Sequence, residues 1–249
     1  VTVISDPAFY AVAVPAVLLL GLAKSGFGAG FGALATPLMA LAVPVPQAAA
    51  IMLPLLLVMD AMGLVALMRH RDRAVLSLVL PWGLLGVLVG TLLFGVLSGP
   101  TVAAVVGALT LLFLLLRHFR PPKADGPPPS RWLGRVLATA SGFTSFVAHA
   151  GGPPIGFYVL PMRLSPIVFS ATMAVFFAVI NLAKWPPYLA LGLFDRTNLM
   201  TSLVLMPLAP VGVWAGIWLV RRVSPTLFYR LFDLGLLLTG LKLLWDGLR

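Results

Sequence analysis

The chain has 249 residues, 60% of them apolar and only 10% charged, with 17 basic residues against 7 acidic for a formal charge of +10. Apolar runs of roughly 20 residues recur from end to end, the length that crosses a bilayer core, so composition excludes a soluble domain and describes a polytopic membrane protein. The basic residues fall mostly between these runs, which makes the charge a topology signal and excludes a nucleic-acid footprint; the lack of cysteine excludes disulfides and thiolate metal sites.

Ten apolar segments follow in order: 8 to 23, 28 to 42, 47 to 68, 74 to 97, 101 to 117, 132 to 148, 152 to 162, 165 to 184, 197 to 220 and 225 to 245. Several are too short to cross upright, so about eight to ten membrane segments are expected. No Lys or Arg precedes Lys24, so the first segment lacks the basic start of a signal peptide and is expected to be retained. Between the first two segments lies Lys24-Ser25-Gly26-Phe27-Gly28, continuing to Gly30. Asp60 sits inside the third, nine residues or about 13.5 Å of helix before Arg69, too deep for easy snorkelling. The one long polar stretch, Arg117 to Arg135, carries Pro121-Pro122, Lys123, Asp125 and Pro127-Pro128-Pro129 and reads as a linker. After it comes a second break, His149-Ala150-Gly151-Gly152-Pro153-Pro154. Asn181 and Lys184 then close the eighth segment. Lys184, beside Trp185 and Tyr188, is expected to be an interfacial anchor, and the other tryptophans belt or packing residues.

The two halves read as a duplication. Lys24 pairs with His149 at an offset of 125, Pro37 with Pro161 at 124, and Pro81, Gly86 and Gly90 with Pro207, Gly212 and Gly216 at 126. This divides the chain into a membrane repeat over 1–118, a linker over 119–131 and a second repeat over 132–249. The clusters Arg69/Arg71/Arg73, the linker with its flanks, and Arg221-Arg222 belong in the cytoplasm, whereas the turns at Val43 to Gln47 and Ser98 to Thr101 carry no charge and belong outside. Each half then holds five segments. An odd count inverts the second repeat, so the expected fold is all-α, with two inverted-topology repeats and broken or re-entrant helices, the arrangement that brings interrupted helices together near the bilayer midplane in secondary transporters. Charge parity does not separate a re-entrant hairpin from two crossings; hairpins would carry Lys24 and His149 towards the membrane centre.

The breaks suit a small anion. Unwound backbone and a cation are costly in lipid and persist where protein or a ligand path surrounds them. Lys24, Ser25 and the amides of Gly26, Gly28 and Gly30 form one expected side of a cradle; His149, Gly151, Gly152 and Pro153 form the other. The competing reading is close helix packing through small residues, with Lys24 snorkelling. His149 has three roles open: donor to the substrate, proton carrier, or a packed histidine bonded to a carbonyl. Pro153 and Pro154 leave nearby carbonyls to be satisfied by other helices, water or ligand. Asp60 can pair with Lys24 or relay a proton, and Asn181 lies near its equivalent point in the second half, where an inter-repeat hydrogen bond would serve packing alone.

Gly21-Leu22-Ala23-Lys24-Ser25-Gly26-Phe27-Gly28-Ala29-Gly30-Phe31-Gly32, Pro37-Leu38, Gln47-Ala48-Ala49-Ala50 and the stretch Gly142 to Pro154 resemble the paired motifs of the TauE/SafE sulfite exporter family, as does the close from Phe228-Tyr229-Arg230 to Asp246. The resemblance spans nearly the whole chain and implies a carrier of the bacterial inner membrane that exports sulfite or a small organosulfur anion, with protons as the coupling ion. Ala29, Phe31 and Ala33 stand between the glycines here, unlike the more glycine-rich members, which bears on the size of anion accepted. Neither cofactor nor metal is implied, the partners are the anion, protons and membrane lipids, and a monomer and a homodimer fit equally. A passive anion channel and an importer of a sulfonate or other small anion share the same features. An intramembrane enzyme does not fit, because one His and one Asp without an HExxH or GxSxG pattern make no catalytic set.

Overall fold

The computed structural model describes residues 3–24, 28–94, 96, 98–119 and 129–248, and among these the chain is helical, with no strand. The first half holds α1 (Pro7–Leu22), α2 (Gly28–Met39), α3 (Val45–Leu67), α4 (Arg73–Leu92) and α5 (Gly99–Phe119). The second holds α6 (Arg131–Ala148), α7 (Gly152–Val159), α8 (Pro166–Ala183), α9 (Trp185–Ala190), α10 (Arg196–Leu205), α11 (Leu208–Val220) and α12 (Pro225–Leu248).

Local chemistry sets the helix starts. Carboxylates of Asp6, Asp72 and Asp195 accept from the amides of Ala8, Val75 and Asn198 at 2.9, 3.0 and 2.7 Å, satisfying donors that have no carbonyl partner in the first turn. α8 and α9 carry proline in the first turn, where its missing N–H is of no consequence. The apolar segment expected to run unbroken from 197 to 220 is instead two helices, α10 and α11, bent by 49° at Met206-Pro207, because Pro207 has no amide to continue the ladder. The segment expected to end at 184 continues into the short α9. The core of the expected linker, residues 120–128, lies outside the described residues.

α3 and α8 cross at the centre. Residues Ala48 to Leu53, Leu55, Leu56 and Met59 of α3 are buried, as are Phe169, Met173, Phe176 and Ile180 of α8. Around this pair α1 packs on α2 and α11, α6 packs on α7 and α4, and α5 packs on α12, which also covers α2. Two of these crossings are backbone to backbone. A Cβ on Gly142 of α6 would stand 1.9 Å from the Gly83 carbonyl oxygen of α4, and one on Gly21 of α1 would stand 2.8 Å from Gly212 Cα of α11, so only glycine lets these helices approach so closely.

The outer surface is apolar. Leu84, Leu85, Leu88 and Leu92 of α4, Val211, Trp214 and Trp218 of α11, and Leu237, Leu238, Leu241 and Trp245 of α12 are exposed, a surface that suits lipid and not water. By length and composition three helices among the described residues can cross a membrane, Pro46–His70, Arg73–Leu92 and Pro166–Ala190, and the bent pair Arg196–Leu205 with Leu208–Leu219 makes a fourth. The helices that flank the breaks are shorter. At 16, 12 and 8 residues, α1, α2 and α7 rise only about 24, 18 and 12 Å, less than the ~30 Å hydrocarbon core.

Candidate functional site

α1 closes with a widened, π-type turn at Ala23 and Lys24, which swings the lysine out of helical register. Its ammonium donates to Asp60 Oδ1 at 2.7 Å and lies 5.1 Å from the centre of the Phe177 ring. The pair is buried, with the Lys24 side chain 10% exposed and Asp60 3%. The other carboxylate oxygen, Oδ2, accepts from Asn181 Nδ2 at 2.7 Å. One carboxylate of α3 thus ties the end of α1 to α8. Such an arrangement satisfies both Asp60 oxygens and balances its charge, as a buried carboxylate requires.

The second break begins where His149 takes the left-handed conformation, with φ of 51°, its amide bonded to Ser145 O and that of Ala150 to Thr144 O. A non-glycine residue held there costs about 1 kcal/mol or more, and the fold offsets this by engaging both ring nitrogens. Nε2 stands 3.0 Å from Ala49 O and Nδ1 stands 2.9 Å from Lys184 Nζ. Because a carbonyl only accepts, Nε2 carries the hydrogen; Nδ1 then offers its lone pair to Lys184. Ser202 Oγ likewise donates to a carbonyl of the same turn of α3, Ile51 O, at 2.7 Å.

Three carbonyls at this break are claimed by side chains of the second half. Ser141 Oγ donates to Gly151 O at 2.6 Å, Thr144 Oγ1 to Ala150 O at 3.1 Å, and the Tyr188 hydroxyl to Phe146 O at 2.7 Å. Gly151 is therefore set against α6: a Cβ on it would meet Ser141 O at 2.7 Å and Ser145 Cβ at 2.8 Å. The two prolines at the start of α7 remove two of its first amides, so this short helix offers an approaching anion few N–H donors.

Between the breaks is a cavity of about 40 Å³, room for on the order of three waters or one small oxyanion. Lys24, Ser145, His149, Gly152, Ser170 and Asn181 supply its polar lining, and Leu20, Leu56, Met173 and Phe177 its apolar walls. Of the expected site residues, Lys24, His149, Gly152 and Asn181 thus come together. Asp60 stands behind Lys24, and Gly151 and Pro153 are buried away from the lining. Gly28 and Gly30 fall in the first turn of α2, two turns of which reach the cavity at Gly32; Ser25 and Gly26 lie outside the described residues.

One expectation is overturned. Lys184 is not an interfacial anchor: it is fully buried, bonded to His149, and forms no ion pair among the described residues. Its neighbours Trp185 and Tyr188 suggested a membrane surface, but Tyr188 is itself buried and bonded inward. Spacing carries a signal for the missed residues. Ser141, Ser145 and His149 repeat every four positions along α6 and its C-cap, and Ser170, Ala174, Phe177 and Asn181 follow one face of α8 into the site.

The TauE/SafE sulfite exporter family model matches residues 13–243. The chain belongs to that family. Neither curated proteins nor solved structures yield a match. A sulfite exporter of this family is a membrane transporter and not an enzyme, in keeping with the apolar outer surface and with a small cavity between helices that carries polar groups on its lining.

Proposed function

We propose that this TauE/SafE protein is a secondary transporter that exports sulfite or a small organosulfur anion across the bacterial inner membrane, coupled to protons. The observation that carries the reading is the cavity shared by Lys24 and His149. Its donors, the Lys24 ammonium, the Ser145 and Ser170 hydroxyls and the Asn181 amide, match the acceptor-only oxygens of a sulfur oxyanion. In this reading Asp60 and Asn181 hold Lys24 in position, and the anion lies between Lys24 and the His149–Gly152 turn.

Alternating access would come from two inverted repeats, 1–118 and 132–249, rocking about the α3–α8 crossing. Exchange of packing partners supports this: α1 on α11 answers α4 on α6, α1 on α2 answers α6 on α7, and α2 on α12 answers α5 on α7. The short, mutually packed pairs α1/α2 and α6/α7 favour hairpins that enter from opposite faces, and the basic flanks Arg117 and Arg131 favour a cytoplasmic linker.

Counterflow in proteoliposomes tests the reading. Preloaded sulfite should accelerate entry of labelled sulfite, with saturation, and sulfate, thiosulfate, taurine and sulfoacetate as competitors rank the anions. Flux that neither saturates nor shows counterflow would identify a passive channel instead.

A further inference from the structure

The site contains a base that anion binding alone does not use. Lys184 is fully buried, and among the described residues its side-chain nitrogen has one hydrogen-bond partner, His149 Nδ1 at 2.9 Å, a neutral acceptor. Lys24 and Asp60 cancel each other 2.7 Å apart, and Asn181 occupies the remaining Asp60 oxygen. Among the described residues, therefore, no carboxylate is within ion-pair distance of Lys184. An enclosed ammonium without a counter-charge is strongly disfavoured, whereas a neutral amine can donate to Nδ1 equally well. A monovalent anion in the cavity reverses the balance, because it brings a negative charge to the other side of the imidazole.

We propose that Lys184 takes up a proton when the anion enters and releases it when the anion leaves, so that anion and proton cross together and the loaded site gains no net charge. The step is a simple protonation of the amine: the Nζ lone pair takes one proton from hydronium of the bathing solution, releasing water, while its hydrogen bond to His149 Nδ1 persists. His149 lines the cavity and Lys184 lies behind it, which keeps the two charges apart by one ring. The surroundings leave this role to Lys184. α3 presents Asp60, already paired; α9 presents Tyr188, whose hydroxyl donates to Phe146 O; α2 has no ionisable residue; and Arg73 of α4 with Arg69 and His70 in the turn after α3 are exposed. Lys24, from the end of α1, keeps its charge on Asp60.

The proposal rests on the anion-site reading and is tested apart from it. Calorimetric titration of the purified full chain with methanesulfonate, in two buffers of different ionisation enthalpy, gives both affinity and protons bound per anion. Methanesulfonate itself does not titrate near neutrality. The expected result is about one proton per anion for the wild-type protein, and under about a tenth of a proton for Lys184→Gln and for the permanently charged Lys184→Arg. Binding by the wild-type protein with no proton uptake, or uptake that survives Lys184→Gln, overturns the proposal and leaves the anion site standing. Absence of binding by the wild-type protein overturns both. The wild-type proton count decides even where a variant fails to fold.

Discussion

The two breaks are matched in sequence and differ in how they are held. At the first, Lys24 is fixed by charge: a single ammonium meets a single carboxylate, and Asn181 completes the link to α8. At the second, His149 is fixed by neutral hydrogen bonds, with Ser141, Thr144 and Tyr188 closing the released carbonyls and Ala49 and Lys184 closing the ring nitrogens. The two breaks thus reach the same cavity by two different chemistries. The difference implies that the first break fails when its charge balance is disturbed and the second when its hydrogen bonds are.

The largest effect should come from Lys24→Ala, which leaves the Asp60 carboxylate buried with only Asn181 as partner. Loss of one member of a buried pair costs about 3–5 kcal/mol. Thermal unfolding in detergent should show this, and adding Asp60→Asn should recover most of the stability without recovering anion binding. If Lys24→Ala unfolds at the wild-type temperature, the first break is not held by charge.

Next in size is the contrast between the helices that lead into the breaks. Gly142→Ala sets a methyl 1.9 Å from the Gly83 carbonyl oxygen, and Gly21→Ala sets one 2.8 Å from Gly212 Cα. Backbone cannot yield as a flexible side chain does, so Gly142→Ala should cost about 3 kcal/mol and Gly21→Ala about 1–2 kcal/mol. Equal losses would mean that the α4–α6 crossing is no tighter than its counterpart.

Much of this was legible in the residues. All ten apolar segments begin within about two positions of the start of a helix, because in lipid a helix needs little more than apolar length and a break needs Gly or Pro. The Lys24–Asp60 link was legible too, as one of the roles open to Asp60, since a carboxylate deep in an apolar segment calls for a basic partner. The bend at Pro207 was not, because three other prolines, Pro15, Pro54 and Pro81, sit inside helices that continue. Nor was Lys184, whose aromatic neighbours are as common at a membrane surface as in a core. Its burial depends on the crossing of α8 with α3 and on the end of α6, contacts that no local pattern encodes.

The smallest effect isolates a single hydroxyl. In Tyr188→Phe the ring keeps its edge-to-face contact with Phe146, at 5.3 Å and 88°, so only the bond to Phe146 O is lost. That carbonyl has no helical donor to fall back on, because the Ala150 amide has turned to Thr144 O. An unsatisfied buried carbonyl costs about 1–3 kcal/mol, and the unfolding temperature in detergent should fall accordingly. Combined with Lys24→Ala, the two losses should add, because charge and hydrogen bonding hold separate segments. A double variant distinctly more or less stable than the sum would show that the two breaks are coupled through the cavity, and the contrast between them would then describe one joint site held by both chemistries at once.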